Sequence, residues 1–189
     1  SPRAADVMTA EFTGADQGQI MAPGATIGIM GGGQLGRMTA LAAARLGYRC
    51  HIYCPDEDSP AAQVTSAATV APYGDEAALQ RFADAVDVVT FEFENIPDSA
   101  AEFLATRRPT RPKPFVLHIC QQRLREKDFL ALNGVPVTRY LPVPSREALD
   151  EAVRRLGLPA ILKSAQFGYD GKGQVRLTAD TNLDEAWTK

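Results

Sequence analysis

Thr26-Ile27-Gly28-Ile29-Met30-Gly31-Gly32-Gly33-Gln34-Leu35-Gly36 decides the fold. Five mostly apolar residues run into a glycine triplet, and apolar positions then recur at helical spacing, which reads as strand, tight loop and helix. Leu35, Met38, Leu41, Ala42, Arg45 and Leu46 mark the inner face and stem of that helix, and Gly47 closes it. Working outward, Arg49 to Cys54 reads as a second strand leading to Pro55-Asp56. Asp75 is placed to cap a helix carrying Leu79, Phe82 and Ala83 on one side, and Val86 to Phe91 reads as the next strand. Strands alternating with helices at this spacing imply an α/β layer with a parallel sheet and ligands at the carboxyl ends of its strands. The loops at 31–36 and 92–97 share that edge.

The chain has 189 residues, 45% of them apolar, with a formal charge of −3. That is enough to bury a sizeable core in one domain or two small ones, and it supplies no basic field for nucleic acid. The one basic run, Arg107, Arg108, Arg111 and Lys113, is broken by prolines and reads as a solvated linker without function. Three cysteines without a Cys-x-x-Cys pair and two histidines, His51 and His118, match no zinc pattern. Cys50 and Cys54 lie on one face of a strand, where a thiol packs as a small apolar group. With no stretch of about 20 apolar residues and no signal-like start, the expectation is a cytoplasmic protein without membrane or nucleic-acid partners.

Residues 1–24 lack periodicity and read as a mobile tail; 25–118 form the parallel α/β domain, and 119–135 a connecting helical segment. The helix over Gln121 to Leu132 ends at Asn133-Gly134, and Val135-Pro136-Val137 begins an extended segment. Residues 136–189 read as the start of a second, α+β unit. In it Ser145 caps a helix over Arg146 to Leu156, Gly157 takes the left-handed position after it, and Pro159 prevents continuation. A further helix over Asn182 to Lys189 presents Leu183, Ala186 and Trp187, and Trp187 either lacks cover or folds back onto the preceding hairpin.

That hairpin is Ala160-Ile161-Leu162-Lys163, then Gly168-Tyr169-Asp170-Gly171-Lys172-Gly173-Gln174, then Val175-Arg176-Leu177. Three glycines let backbone N–H groups turn toward one anion, and Lys163 and Lys172 add positive charge, so the loop reads as a lid over nucleotide phosphates. It lacks the Gly-Lys-Ser/Thr of a Walker loop, and an ordinary glycine-rich turn with a solvated lysine is the plainer alternative. Gly31-x-Gly33-x-x-Gly36 fits a Rossmann-like dinucleotide fingerprint, with Asp56 twenty residues on. It equally fits glycines used for close helix–strand packing. Glu92 and Glu94 follow a buried strand at the ligand edge and share a side if the strand persists. They read as acceptors for ribose hydroxyls or an amine, or as solvated strand caps. Pro97 permits a cis turn, although trans is the default.

Taken in order, Gly31 to Met38, Asp58-Ser59-Pro60-Ala61-Ala62, Glu92 to Pro97, Arg123 with Lys127, and Gly168 to Gln174 resemble N5-carboxyaminoimidazole ribonucleotide synthetases of the ATP-grasp superfamily. The resemblance covers residues 26–189. It implies a pre-ATP-grasp domain followed by the start of an ATP-grasp domain. It also implies ATP-dependent carboxylation of aminoimidazole ribonucleotide by bicarbonate in purine biosynthesis. Arg123 and Lys163 would meet ATP, with Gly168, Tyr169, Asp170, Gly171, Lys172, Gly173 and Gln174 over its phosphates. Gly33, Gln34, Leu35, Glu92, Glu94 and Tyr169 would meet the ribonucleotide, and Lys172 and Asp170 would act in catalysis. Phe167 stands where related sequences often carry glycine. The ligands for Mg2+ and the rest of the ATP pocket are implied to lie beyond residue 189, so the chain alone is expected to be inactive, with a homodimer possible for the full-length protein. The competing expectations are an NAD(P) protein using Gly31, Gly33, Gly36 and Asp56, and a non-enzymatic binding module.

Overall fold

The computed structural model describes residues 20–166 and 172–188. The elements run β1 (Thr26–Met30), α1 (Gln34–Arg45), β2 (Arg49–Cys54), a 3₁₀ turn (Ala62–Val64), β3 (Ala67–Val70), α2 (Glu76–Asp84) and β4 (Val88–Phe91). There follow α3 (Asp98–Ala105), α4 (Pro114–Cys120), α5 (Arg123–Leu132), α6 (Arg146–Leu156), β5 (Ala160–Lys163), β6 (Gln174–Leu177) and α7 (Leu183–Thr188).

The first four strands form one parallel sheet in the order β3-β2-β1-β4, with Gly28 opposite both His51 and Val89. Alternate side chains face opposite layers. Ile29, Cys50, Ile52 and Cys54 pack with Ala40 and Ala43 of α1, whereas Met30, Tyr53 and Val89 pack with Leu79 and Phe82 of α2 and Leu104 of α3. The α2 cap forms as expected, Ala78 N–H donating to Asp75 Oδ1 at 2.9 Å. Cys50 and Cys54 are buried packing thiols on one face of β2.

The inner face of α1 is not the expected one. Leu35, Met38 and Leu46 are 58%, 64% and 68% exposed, while Ala40 and Ala43 are 3% and 7% exposed. The strand side chains already fill the layer, so the helix seats on its smallest residues. A Cβ at Gly36 would lie 2.9 Å from the Gly31 carbonyl oxygen, which fixes how close α1 comes. Hydrophobicity alone pointed to the wrong stripe because apolar residues encircle this helix.

The basic run is likewise not a solvated linker. The segment at 109–111 pairs alongside β4, with Val89 N–H donating to Pro109 O at 2.8 Å and Arg111 N–H donating to Val89 O at 2.9 Å. Arg107 lies 3.5 Å over the Phe103 ring, and Arg108 Nε donates to Ala83 O at 2.7 Å. These arginines tie the chain to α2 and α3. The sequence reading did not anticipate β3, α3, α4 or the 3₁₀ turn.

In the second part, β5 and β6 form an antiparallel pair with Lys163 opposite Gln174. Ser145 caps α6 by accepting from Ala148 N–H at 3.3 Å, and Gly157 has φ +83°. Leu149 of α6, Leu177 of β6 and Ala186 of α7 form a small core joined by Leu183. So α7 does fold back on the hairpin, but through Leu183 and Ala186; Trp187 remains 38% exposed.

Ala40→Leu should destabilise the fold by about 1–3 kcal/mol through overpacking, whereas Met38→Ala should stay within about 0.5 kcal/mol. Urea unfolding of both variants checks which stripe of α1 faces the sheet.

Candidate functional site

The sheet order places β1 beside β4, so the loops after these two strands meet at the point where the strand order reverses. The meeting is intimate. The Glu92 carboxylate lies against the glycine loop, where the backbone N–H groups of Gly36 and Gly33 act on its charge. Gly31, at φ +113°, passes so close that a Cβ there would sit 2.7 Å from Glu92 Oε1. The glycine loop and the first turn of α1 therefore cradle an anion, and the anion is the protein's own side chain. Burial pushes the Glu92 carboxyl above the usual glutamate range; the two N–H groups pull the other way, and the neighbouring Glu94 charge raises it further.

This arrangement overturns the dinucleotide alternative for Gly31, Gly33, Gly36 and Asp56. The Glu92 side chain lies against Gly31, Gly33 and Gly36, so a pyrophosphate arriving there would meet a carboxylate. Asp56 instead takes the Cys54 thiol on its backbone carbonyl at 3.2 Å. The stretch Asp58 to Ala62 braces the same loop: Ser59 is buried against Gly32, and Ala61 N–H donates to Gly32 O at 2.9 Å.

Strand β4 ends at Phe91, so Glu92 and Glu94 do not share a side. Glu92 turns into the glycine loop, and Glu94 lies in a separate cleft of about 340 Å³. Among the described residues the cis peptide bonds are Arg111–Pro112 and Leu158–Pro159, so the bond before Pro97 is trans. Asn95 and Glu94 form one wall of the cleft, Arg123 and Glu126 of α5 another, and Ala165 and Gln166 of the hairpin a third. Arg123 is bound firmly to the hairpin: its backbone N–H donates to Ala165 O at 2.9 Å and its Nε to Ser164 O at 3.1 Å. Ser164 N–H in turn donates to Gly173 O at 2.8 Å, closing the neck of the hairpin. The positive φ of Gly173, +65°, explains glycine at that position.

The structure thus brings Glu94 and Arg123 together at one cleft. Lys163 and Ile161 stand exposed on one side of β5, and Lys172 and Gln174 are exposed at the far arm of the hairpin. Gly33, Gln34 and Leu35 are exposed at the start of α1 and do not line the cleft. Gly168, Tyr169, Asp170 and Gly171, like Phe167, lie outside the described residues. Among the described residues no group of three His, Cys, Asp or Glu side chains gathers to hold a metal, and no helix is long and apolar enough to cross a membrane.

Sequence reading missed Gln121, Gln122 and the backbone carbonyls of Ser164 and Ala165. Gln122 caps α5, its side chain accepting from Arg125 N–H at 2.7 Å, so that helix starts at Arg123 rather than Gln121. Behind it, Asp98 of α3, His118 of α4 and Arg125 of α5 form a junction, with His118 Nδ1 3.0 Å from Asp98 and 2.9 Å from Arg125 Nη1. The His118 hydrogen bond foremost holds the Asp98 carboxyl below its usual range. Carbonyl contacts carry no side-chain code, and the Gln122 cap takes a backbone N–H that any residue at 125 would offer.

Fold and cleft define a class: a parallel α/β layer joined through a short helical segment to the opening of an ATP-grasp domain. Residues 24–121 match the model described as ribonucleotide synthetase preATP-grasp domain, and residues 128–189 match the ATP-grasp domain model. The chain belongs to this ribonucleotide synthetase preATP-grasp family. It is 50% identical over 163 residues to the N5-carboxyaminoimidazole ribonucleotide synthase of Brucella melitensis, a match covering 86% of this chain and 44% of that protein. It is 47% identical over 170 residues to the bifunctional purine synthesis protein purC/E of Dictyostelium discoideum, covering 90% of this chain and 17% of the relative. Among solved structures, an ADP complex of an N5-carboxyaminoimidazole ribonucleotide synthetase superposes with TM-score 0.86 at 44% identity, over 90% of this chain and 45% of that one. The Aspergillus clavatus synthase in complex with ADP and 5-aminoimidazole ribonucleotide gives 0.76 at 26% identity, over 89% and 43%. The chain spans less than half the length of these relatives.

Because the folded state holds the Glu92 proton more tightly than the unfolded chain does, its contribution to stability is greatest below the ordinary glutamate range. It declines as pH rises through the folded-state value. Carboxyl-carbon NMR should therefore place the Glu92 midpoint above the usual range, and the stability of wild type minus that of Glu92→Gln should fall with rising pH across that window.

Proposed function

We propose that this chain supplies the N-terminal part of an ATP-dependent carbon–nitrogen ligase of the cytoplasm, one that carboxylates 5-aminoimidazole ribonucleotide with bicarbonate in purine biosynthesis. The carrying observation is the cleft in which Glu94, after a strand of the first sheet, faces Arg123 and the neck of the hairpin. The relatives named above act in this reaction or in purine synthesis, and one of them holds ADP and the ribonucleotide together. In this reading the chain divides into residues 25–118, a connector at 119–135 and an ATP-grasp portion from 136.

In this reading a bicarbonate oxygen attacks the terminal phosphorus of ATP, the bond to the bridging oxygen breaks, and ADP leaves. The carboxyphosphate so formed is attacked at carbon by the exocyclic amine of the ribonucleotide. Phosphate departs, and the amine loses a proton to give N5-carboxyaminoimidazole ribonucleotide. Arg123 and Lys163 bind and orient ATP, and Glu94 accepts hydrogen bonds from the ribonucleotide. Glu92, Gly33, Gln34 and Leu35 shape the substrate side at the start of α1. The hairpin loop, with Gly168, Tyr169, Asp170, Gly171, Lys172, Gly173 and Gln174, closes over the phosphates, and Lys172 and Asp170 serve the transfer. Water exclusion matters because carboxyphosphate is lost to hydrolysis. It also strengthens each charge: at about 4 Å, opposite unit charges attract by roughly 1 kcal/mol in water and about 4 kcal/mol at an effective dielectric of 20. Among the described residues no group of three His, Cys, Asp or Glu side chains gathers to hold Mg2+.

Calorimetric titration of the purified chain should show saturable binding of aminoimidazole ribonucleotide and none of NADH; saturable NADH binding without ribonucleotide binding overturns the reading. Glu94→Gln should weaken ribonucleotide binding roughly ten- to hundredfold, the loss expected for a hydrogen bond to a charged group. Residues 1–189 alone should turn over no ATP in a phosphate-release assay, since the chain covers 44% of the Brucella relative. Ribonucleotide-dependent turnover by this chain would refute that.

A further inference from the structure

Three consecutive residues at the junction each hold a different part of the molecule. The Gln121 side-chain amide donates to the carbonyl of Glu94 at 2.7 Å and to the carbonyl of Ile96. Gln122 caps α5, and Arg123 grips the hairpin neck at Ser164 and Ala165. The loop after β4 is otherwise fixed at its two ends, by the Glu92 carboxylate in the glycine loop and by the fully buried Ile96 side chain. Between those anchors the backbone that carries Glu94 bends toward α5, and two of its carbonyls converge on one amide group. An amide NH₂ has two donors, the number required.

We propose that Gln121 is a positioning residue. It clamps the 94–96 loop to the start of α5, so that Glu94 stands at a fixed height opposite Arg123, and substrate wall and nucleotide wall are held to one span of backbone. This rests on the ligase reading for the identity of the ligand, but the clamp itself rests on the hydrogen bonds. Gln121 works through the loop and need not touch the substrate. Its side chain borders the cleft, yet its donors are already committed to the two carbonyls.

The test compares Gln121→Met, which keeps the volume and loses the donors, with Gln121→Lys, which keeps donors at similar reach. Two measurements are made: amide hydrogen exchange at Glu94, Asn95 and Ile96, and calorimetric titration with aminoimidazole ribonucleotide. Gln121→Met should speed that exchange and weaken ribonucleotide affinity about tenfold, in keeping with the modest net worth of such bonds. Gln121→Lys should stay within about threefold of wild type on both, as expected where donor capacity rather than shape is what matters. Wild-type behaviour of Gln121→Met, or equal losses in the two variants, overturns the proposal. Should Gln121→Met fail to fold, Gln121→Glu replaces it. Acceptor-only and facing carbonyls, it must lose what Gln121→Lys keeps, and retention overturns the clamp. If wild type binds no ribonucleotide, the ligase reading fails, and the exchange rates alone decide the clamp.

Discussion

The Glu92 carboxylate in the cradle of Gly33 and Gly36 is the contact on which the arrangement of the first domain depends. It closes the junction between the two central strands, brings a carboxylate against the start of α1, and sets the direction in which the following loop leaves the sheet. Burial is the larger influence on the Glu92 carboxyl and raises it above the usual glutamate range, with the two N–H groups opposing that shift without cancelling it. The glycines around it thus answer to a side chain: Gly31 gives it room, Gly32 lets Ser59 and Cys54 close behind, and Gly36 admits the helix.

From that anchor the functional geometry follows by short steps. With Glu92 turned inward, Glu94 is delivered outward to the cleft. Gln121 and Arg123 then take opposite sides of it, one holding a loop of the first sheet and the other the neck of the second. The two parts of the chain therefore meet through backbone carbonyls held by side-chain donors, an economical way to align two ligand walls without a large apolar interface.

Much of the fold was legible in the sequence, because the strands and capped helices carry local signals. Thr26 to Met30 and Arg49 to Cys54 are strands over those residues, and Asp75 and Ser145 cap the helices they precede. What was not legible depends on packing. Leu35 and Met38 looked like core and face solvent, since the competing alanine stripe is visible only once the strand side chains are in place. The arginines around Pro109 looked like a linker and brace the sheet edge, because cation–ring and arginine–carbonyl contacts have no sequence period. At the cleft, Glu94 was legible from its place after a buried strand at the ligand edge, whereas Arg123 was legible only through family likeness. Gln121 was missed, since its partners are carbonyls far away in the chain, which any residue could have offered.

The alanine seat of α1 carries one more implication. A helix resting on methyl groups rides lower over a sheet than one resting on isobutyl groups, because interaxial spacing follows the side chains at the contact. That low ride brings the helix's opening turn within the span of a single glutamate arm. Aspartate in its stead would be a methylene too short to make the bridge, so the depth of the seat and the length of the acid are two halves of one measurement.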